Sequence, residues 1–412
     1  MMRLLRLAVS TVSLLLAPAT LLAQSGKPSE VQIFWASPTE QAALDKLRQA
    51  YTARGGVWVD FQTSNAADNR NLAFQRIVRG TPPFAIQWFA GKDLRAMSQS
   101  GVIHDLTGIA RDGDWTSKLR PGALNGVTID GAVYGLPIGI HTENWAWFNR
   151  KQLDLLGVTV PDDWDEVIRA LSLAARRGID GIAIGQGGWE RHHIFNTILT
   201  SEGGDDAYRQ LMEGADATAL NNPAFARTFN IMGKLRMFDP QDSSVAGWKE
   251  ATDKLAAGKA VVQFMGDWVL PELKSLGLKA GQDFECSLAL GKVRQPVSVV
   301  DIMIFPIEED RSLTAEHQRM IDAVLDPDTQ LAFARAKGAI SVLKQVASDP
   351  ADVCMRKAHD LQNQTLSAPA TVMIVNERIA AILEKVVNDF WQRRIDTTEQ
   401  ALALLKQQIM SQ

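Results

Sequence analysis

Ala246-Gly-Trp-Lys-Glu-Ala-Thr252, then Gly258-Lys-Ala260 and Gln263-Phe-Met-Gly-Asp-Trp268, is the stretch on which the reading of this chain turns. Trp248 and Trp268 bracket one helix and one strand. The face Thr252, Leu255, Ala256 predicts a short helix that starts just after Trp248 and stops at Gly258. Ala260–Phe264 is a compact apolar strand, and Met265-Gly-Asp-Trp268 turns the chain. Indole rings at helix and strand ends are rigid apolar plates carrying one N–H donor. One face of a pyranose is a patch of C–H bonds, so a sugar suits such a plate. Packing in a core is the other role open to a lone tryptophan.

The N-terminus has a different character. Arg3 and Arg6 make a basic start, Leu4 to Leu16 supply an apolar run, and small residues follow at Ala17, Ala19 and Ala23. Residues 1–23 are expected to be a secretory signal peptide, too short for a membrane span, which predicts an exported, periplasmic protein. Removing them takes away two arginines and moves the net charge from −4 to about −6. That balance disfavours nucleic acid or an anionic membrane surface as partner. Roughly 390 mature residues exceed one compact domain, so two lobes are expected. An isolated cysteine pair in an exported protein, here Cys286 and Cys354, is more often a bridge than two free thiols. There is no Cys-x-x-Cys and no His-Glu-x-x-His, so no metal is expected, and no cofactor.

Strand and helix alternate from the start of the mature chain. Strands are predicted at 31–35, 57–62 and 84–87, with helices at 38–53 and 67–79 and from Asp93 onward. This argues an α/β lobe with a mainly parallel sheet, whose ligands sit at the carboxyl ends of the strands, where Trp35 and Gln87 fall. Val127–Tyr134 is a hairpin with Asp130-Gly131 as its turn. Gly135–Asn149 reads as a crossing into a second lobe, and the β-rich run Val299–Phe305 as a strand returning to the first. The N-terminal lobe is placed at 24–140 and 294–340, and the C-terminal lobe at 141–293 and 341–412, with final helices between Asn376 and Met410. Several crossings make a hinge, and hinged lobes close on ligands.

These features resemble the extracellular solute-binding proteins of bacterial ABC sugar importers (family 1), and within them the glucose/mannose-type members. The likeness covers most of the mature chain as scattered motifs. Trp248 and Gly266-Asp-Trp268 match the segment beside the binding cleft. Trp35 and Glu40 match the first loop, where Phe34 replaces a tryptophan. Gln87 and Gly91 match a polar turn, with Phe89 where histidine can stand. His141, Asn144 and Trp145 match the lobe crossing; Asp301 matches an acid on the returning strand, and Ala336-Lys337-Gly338 a Lys-Gly turn, with Ser341 in place of proline. Near Thr365-Leu366, Ala368 stands where some glucose binders have histidine.

The resemblance implies a two-lobed α/β periplasmic-binding-protein fold (type II-like) with hinged lobes and a central cleft. It implies a monomer that takes a sugar from the cleft to ABC permease subunits, and a ligand set of Phe34, Trp35, Glu40, Gln87, Phe89, His141, Asn144, Trp248, Trp268, Asp301 and Lys337. Carboxylates, amides and an ammonium would bond the hydroxyls while indoles cover the C–H face. Taken singly, Glu40 and Lys337 read as surface charges, Asp301 as a buried carboxylate, and His192-His193 as a surface pair at a helix start. A secreted carbohydrate-active enzyme would need two carboxylates flanking the scissile bond, and no nucleophile elbow, P-loop or dinucleotide fingerprint is present. A sensor that reports the sugar to a membrane receptor would share all these features. Phe34, Phe89 and Ala368 remove polar or larger groups found in glucose-type members, which predicts a sugar other than glucose.

Overall fold

The computed structural model describes residues 27–308, 312–347, 352–365, 367–375 and 377–411. The expected signal peptide, Leu366 and Asn376 lie outside the described residues.

The first sheet is built from β1 (Pro28–Ile33), β2 (Val57–Gln62), β3 (Ala85–Phe89), β6 (Leu136–Thr142), β11 (Val297–Ile304) and β12 (Ala368–Pro369). β1 pairs in parallel with both β2 and β3, as strand–helix–strand alternation requires. β11 then joins antiparallel to β3 at residues 301–304 and to β6 along its other edge, while β12 extends the β3 edge at 297–298. All eight residues of β11 are buried, which is why its sequence is an unbroken apolar run apart from Ser298 and Asp301. A hairpin of β4 (Thr128–Ile129) and β5 (Ala132–Val133) turns on Asp130 and Gly131, both at positive φ (51° and 88°), the geometry of a type I′ turn.

The second sheet runs β10–β7–β9–β8, from β7 (Trp145–Asn149), β8 (Asp180–Ile182), β9 (Ala260–Phe264) and β10 (Phe284–Leu288). Helices Trp164–Arg176 and Trp248–Ala256 pack on it, helices Gly188–Met212 and Pro223–Leu235 pack on each other, and the closing pair Glu377–Trp391 and Thr398–Met410 packs on these two. The long helix breaks its own geometry at Gly204 (φ 66°).

Three boundaries differ from the sequence-based expectation. β1 ends at Ile33, because the Phe34 N–H turns to Gln87 Oε1 (3.0 Å) and Ser37 opens a capping box for helix Pro38–Ala53. The crossing begins at Glu143: His141 and Thr142 still belong to β6 of the first sheet. The segment after 340 returns to the first lobe before leaving it. Arg120 N donates to Val342 O (2.8 Å), Lys344 N to Lys118 O (2.9 Å), and β12 pairs with β11. These contacts are single bridges and a two-residue strand, too short to leave a periodic signal.

Cys286 on β10 and Cys354 on helix Val353–Gln364 form a disulfide, with Cα atoms 6.1 Å apart and a sequence separation of 68. The loop it closes spans both lobes, since β11 lies inside it. Closing such a loop stabilises the fold by roughly 4 kcal/mol in the chain-entropy model. Cys286→Ala/Cys354→Ala is expected to lower the unfolding free energy by about that amount in urea titrations of the exported protein. An unchanged midpoint would show that the bridge constrains nothing the rest of the fold does not already hold.

Candidate functional site

The floor between the lobes is a buried ion cluster centred on His141. Its Nδ1 lies 2.5 Å from Asp267 Oδ1, and its Nε2 3.0 Å from Asp301 Oδ2. Asp267 belongs to the turn after β9 and also accepts from Thr142 N (2.7 Å) and Thr142 Oγ1 (3.1 Å). Asp301 belongs to β11. Burial alone would push the imidazole down; the charge of Asp267 and the contacts to both carboxylates outweigh it and raise it to about 9. His141 is therefore an imidazolium at neutral pH, clamped between carboxylates from the two sheets' sides of the cleft.

The aromatic wall stands beside it. Trp268 meets His141 at 6.1 Å (71°) and His193 at 6.2 Å, and Trp248 at 6.5 Å with the ring planes 77° apart. The two indoles thus form a corner. Trp145, Trp147, Trp164 and Trp391, by contrast, are buried, and their N–H groups donate to Thr142 Oγ1, Met265 O, Ser201 Oγ and Asp239 Oδ2. Trp248 and Trp268 remain half-buried, and neither N–H has a hydrogen-bond partner among the described residues. Gly266 makes the arrangement possible. A Cβ there would fall 2.3 Å from the Trp268 ring.

The first-lobe side divides into faces and props. Phe34 and Phe89 are half-buried, 5.5 Å apart, and present apolar surface. Gln87 lies fully buried behind them; its Oε1 holds Phe34 N, and its Nε2 has no partner. Trp35 is only 3% exposed, with Phe333 5.7 Å away on one side and the Lys337 ammonium 5.0 Å from its centroid. Glu40 closes the capping box with Ser37 and pairs through Oε1 with Lys337 Nζ (3.2 Å). Burial would raise this carboxyl, but Lys337 and the backbone donors hold it below the usual carboxylate range. Gly338 (φ 73°) ends that lysine's helix against the second lobe, where a Cβ would meet Pro271 and the Asp267 carbonyl. Asn144 is spent on the crossing itself: it donates to Gln295 O (2.9 Å) and accepts from Val297 N (2.8 Å). Ala368 is fully buried in β12.

The eleven residues named from the sequence thus separate in the structure. Trp248, Trp268, Phe34, Phe89 and Glu40 keep exposed surface, while Trp35, Gln87, His141, Asn144, Asp301 and Lys337 are buried supports. The reading of His192-His193 as a surface pair is corrected: both are 8% exposed, and His193 Nε2 lies 2.9 Å from Glu143 O. Burial drives both imidazoles down to about 4. Sequence analysis also passed over Asp267, Glu143 and Glu272. Asp267 was legible within Gly266-Asp-Trp268; Glu143 and Glu272 carry no local signal. Glu272 bonds Thr39 Oγ1 of the first lobe and sits 3.8 Å from Lys249 of the second.

Residues 35–301 match the family model for bacterial extracellular solute-binding proteins. The chain belongs to this family. A probable sugar-binding periplasmic protein of Brucella melitensis is 30% identical over 339 residues, covering 82% of this chain and 80% of that protein. One of Rhizobium meliloti with the same description is 30% identical over 355 residues, covering 85% and 84%. Among solved structures, a chitin oligosaccharide binding protein superposes with a TM-score of 0.77 at 18% identity, covering 92% of this chain and 98% of that one. The solute receptor AcbH, described with an exclusive preference for β-D-galactopyranose, gives 0.78 at 16%, covering 92% and 97%. These neighbours are two-lobed binding proteins, and the fold of this solute-binding protein is theirs.

Two outcomes follow from the geometry. Trp248→Ala and Trp268→Ala should each weaken ligand binding by about 1–3 kcal/mol in calorimetry while the fold survives. Gly266→Ala should weaken it too, by moving the Trp268 ring. Normal affinity in all three would place the ligand elsewhere.

The second concerns pH. His141 is raised from 6.5 to about 9, so its contribution is whole below 6.5 and is lost as pH rises through about 9. Glu143 is pushed from 4.5 up to about 8, first by burial and then by Asp267, so keeping it protonated while the unfolded chain ionises costs stability that grows between pH 4.5 and about 8. His192 and His193, lowered to about 4, act oppositely and cost stability as pH falls below 6.5. Thermal melts should therefore fall as pH rises from about 6.5 toward 9, with Glu143→Gln flattening the slope up to about 8. A Tm independent of pH over that range would contradict the charge states assigned to the cluster.

Proposed function

We propose that this protein is a periplasmic sugar-binding protein that captures one sugar in the interlobe cleft and hands it to an ABC permease. It acts as a monomer, and binding is non-covalent, with no cofactor and no bond broken. The observation that carries this reading is the corner of Trp248 and Trp268, two half-buried indoles with unused N–H groups standing over a floor of charged hydrogen-bonding side chains. Apolar plates for the C–H face and polar groups for hydroxyls are the two things a pyranose requires. The relatives described as sugar-binding periplasmic proteins support the same ligand class. A catalytic role would need a carboxylate pair free to act as acid and base. Asp267 and Asp301, the pair deepest in the cleft, are both committed to His141.

The test is a screen of monosaccharides and short oligosaccharides read by intrinsic tryptophan fluorescence and confirmed by calorimetry. At least one sugar should bind at micromolar affinity or better, at one site per chain. D-Glucose should bind more weakly than about 1 μM, because Phe34 and Phe89 offer it no hydrogen bonds and Ala368 is sealed in β12. Submicromolar, selective glucose binding would show that these positions do not set the specificity. A screen with no binder at all would remove the sugar-binding reading.

A further inference from the structure

Glu143 and Asn144 are the whole crossing between β6 and β7. The main chain of Glu143 is pinned: its N–H donates to Val297 O (2.8 Å), and its carbonyl accepts from His193 Nε2 (2.9 Å). Its carboxyl group has no hydrogen-bond or ion-pair partner among the described residues, and the residue keeps exposed surface. A fixed backbone therefore presents a free acid to the cleft.

The wall around this acid carries several acceptors without donors. Asp267 and Asp301 face it from the turn after β9 and from β11, and of the charged groups around it only His141 on β6 offsets them. Asp301 Oδ1 is buried without a partner. Asn196, one helical turn from His193, gives its amide N–H to Thr371 Oγ1 (2.6 Å) and leaves Oδ1 unpartnered, although the side chain is only 8% exposed. Tyr208, on the same helix, shares its hydroxyl with Thr371 (2.7 Å). His193 is neutral at pH 7, since burial holds it at about 4. Trp268, 6.2 Å from the His193 ring, supplies the apolar plate next to this wall.

We propose that Glu143 contacts the ligand directly and that the ligand is an amino sugar, its protonated amine on Glu143 and its ring against Trp268. This rests on the sugar-binding reading and narrows it. An ammonium brings three N–H donors and no lone pair, which is what unpartnered carboxylate and amide oxygens lack. A hydroxyl brings one donor and two more lone pairs. A uronate or a sugar phosphate would add negative charge beside Asp267 and Asp301. Charge-assisted N–H···O contacts are roughly twice as strong as neutral ones, and more so where water is excluded. Burial and the two neighbouring acids hold the Glu143 proton on up to about pH 8. An arriving ammonium displaces it.

The experiment is calorimetry on the mature protein near pH 6, where a sugar amine is charged. D-Glucosamine and its β-1,4 dimer are compared with D-glucose, cellobiose and D-glucuronate. The better amine should bind at least about tenfold more tightly than its neutral parent, and the uronate should not bind. Glu143→Gln keeps the size and neutral charge of the empty-state side chain, so it should fold normally by thermal melt. It should abolish the preference for the amine, so that the amine and its neutral parent bind the variant within about threefold of each other. Repeating the amine titration in two buffers of different ionisation heat should show about one proton released by the parent protein and none by Glu143→Gln. Neutral sugars binding as tightly as amines, or a preference that survives Glu143→Gln, would overturn the assignment and leave the sugar-binding reading intact. Failure of every sugar, here and in the wider screen, would instead remove that reading and this one with it.

Discussion

A histidine held between two carboxylates is the interaction on which the rest of the cleft depends. His141 sits on the first sheet, Asp301 on the strand that returns to it, and Asp267 on the turn that carries Trp268. One imidazolium thus ties the plate-bearing turn of one lobe to the floor of the other. A buried ion pair is worth little against an apolar replacement, but removal of one member leaves an uncompensated charge and costs several kcal/mol. The cluster therefore secures position more than stability. Thr142 adds to it, since its N–H and hydroxyl hold Asp267, and its oxygen in turn receives the Trp145 indole N–H.

Around that pin, the elements of recognition are divided between rigid supports and presented faces. Gln87 fixes the Phe34 backbone, Lys337 and Glu40 fix the start of a helix and cover Trp35, and Asn144 fixes the crossing. The surfaces left for a ligand are the Trp248–Trp268 corner, the Phe34–Phe89 pair and the Glu143 carboxyl. This division suits a binding protein. Groups already ordered by their own hydrogen bonds lose little freedom when a ligand arrives. The chain passes from β6 to β7, and from one sheet to the other, in the two residues Glu143-Asn144.

Much of this was legible from residue patterns. Helix Pro38–Ala53, strand Val57–Gln62 and strand Ala260–Phe264 follow from periodicity and capping signals and have the predicted bounds. The disulfide followed from compartment and cysteine count. Trp248 and Trp268 were singled out by their places at the ends of a helix and a strand; that their rings meet at 77° was not legible there. The roles of the polar residues were not legible in the same way. Glu40, His141, Asp301 and Lys337 have the right chemistry for hydroxyls, but each is bound first to another protein group. Which polar groups remain free depends on partners more than one hundred residues away in the sequence.

The sequence by itself determined the α/β class and the two lobes, because periodicity and turn residues are local properties. Only the tertiary structure decided which acids are clamped and which are free. His192 and His193 look like a surface pair on a helix and become a buried, neutral pair because another lobe's crossing covers them. Glu143 looks like any surface acid between two strands and becomes the free carboxyl of the cleft because Asp267 has already taken His141. Burial and charge pairing are sums over neighbours from the whole chain, and no short stretch of sequence contains them.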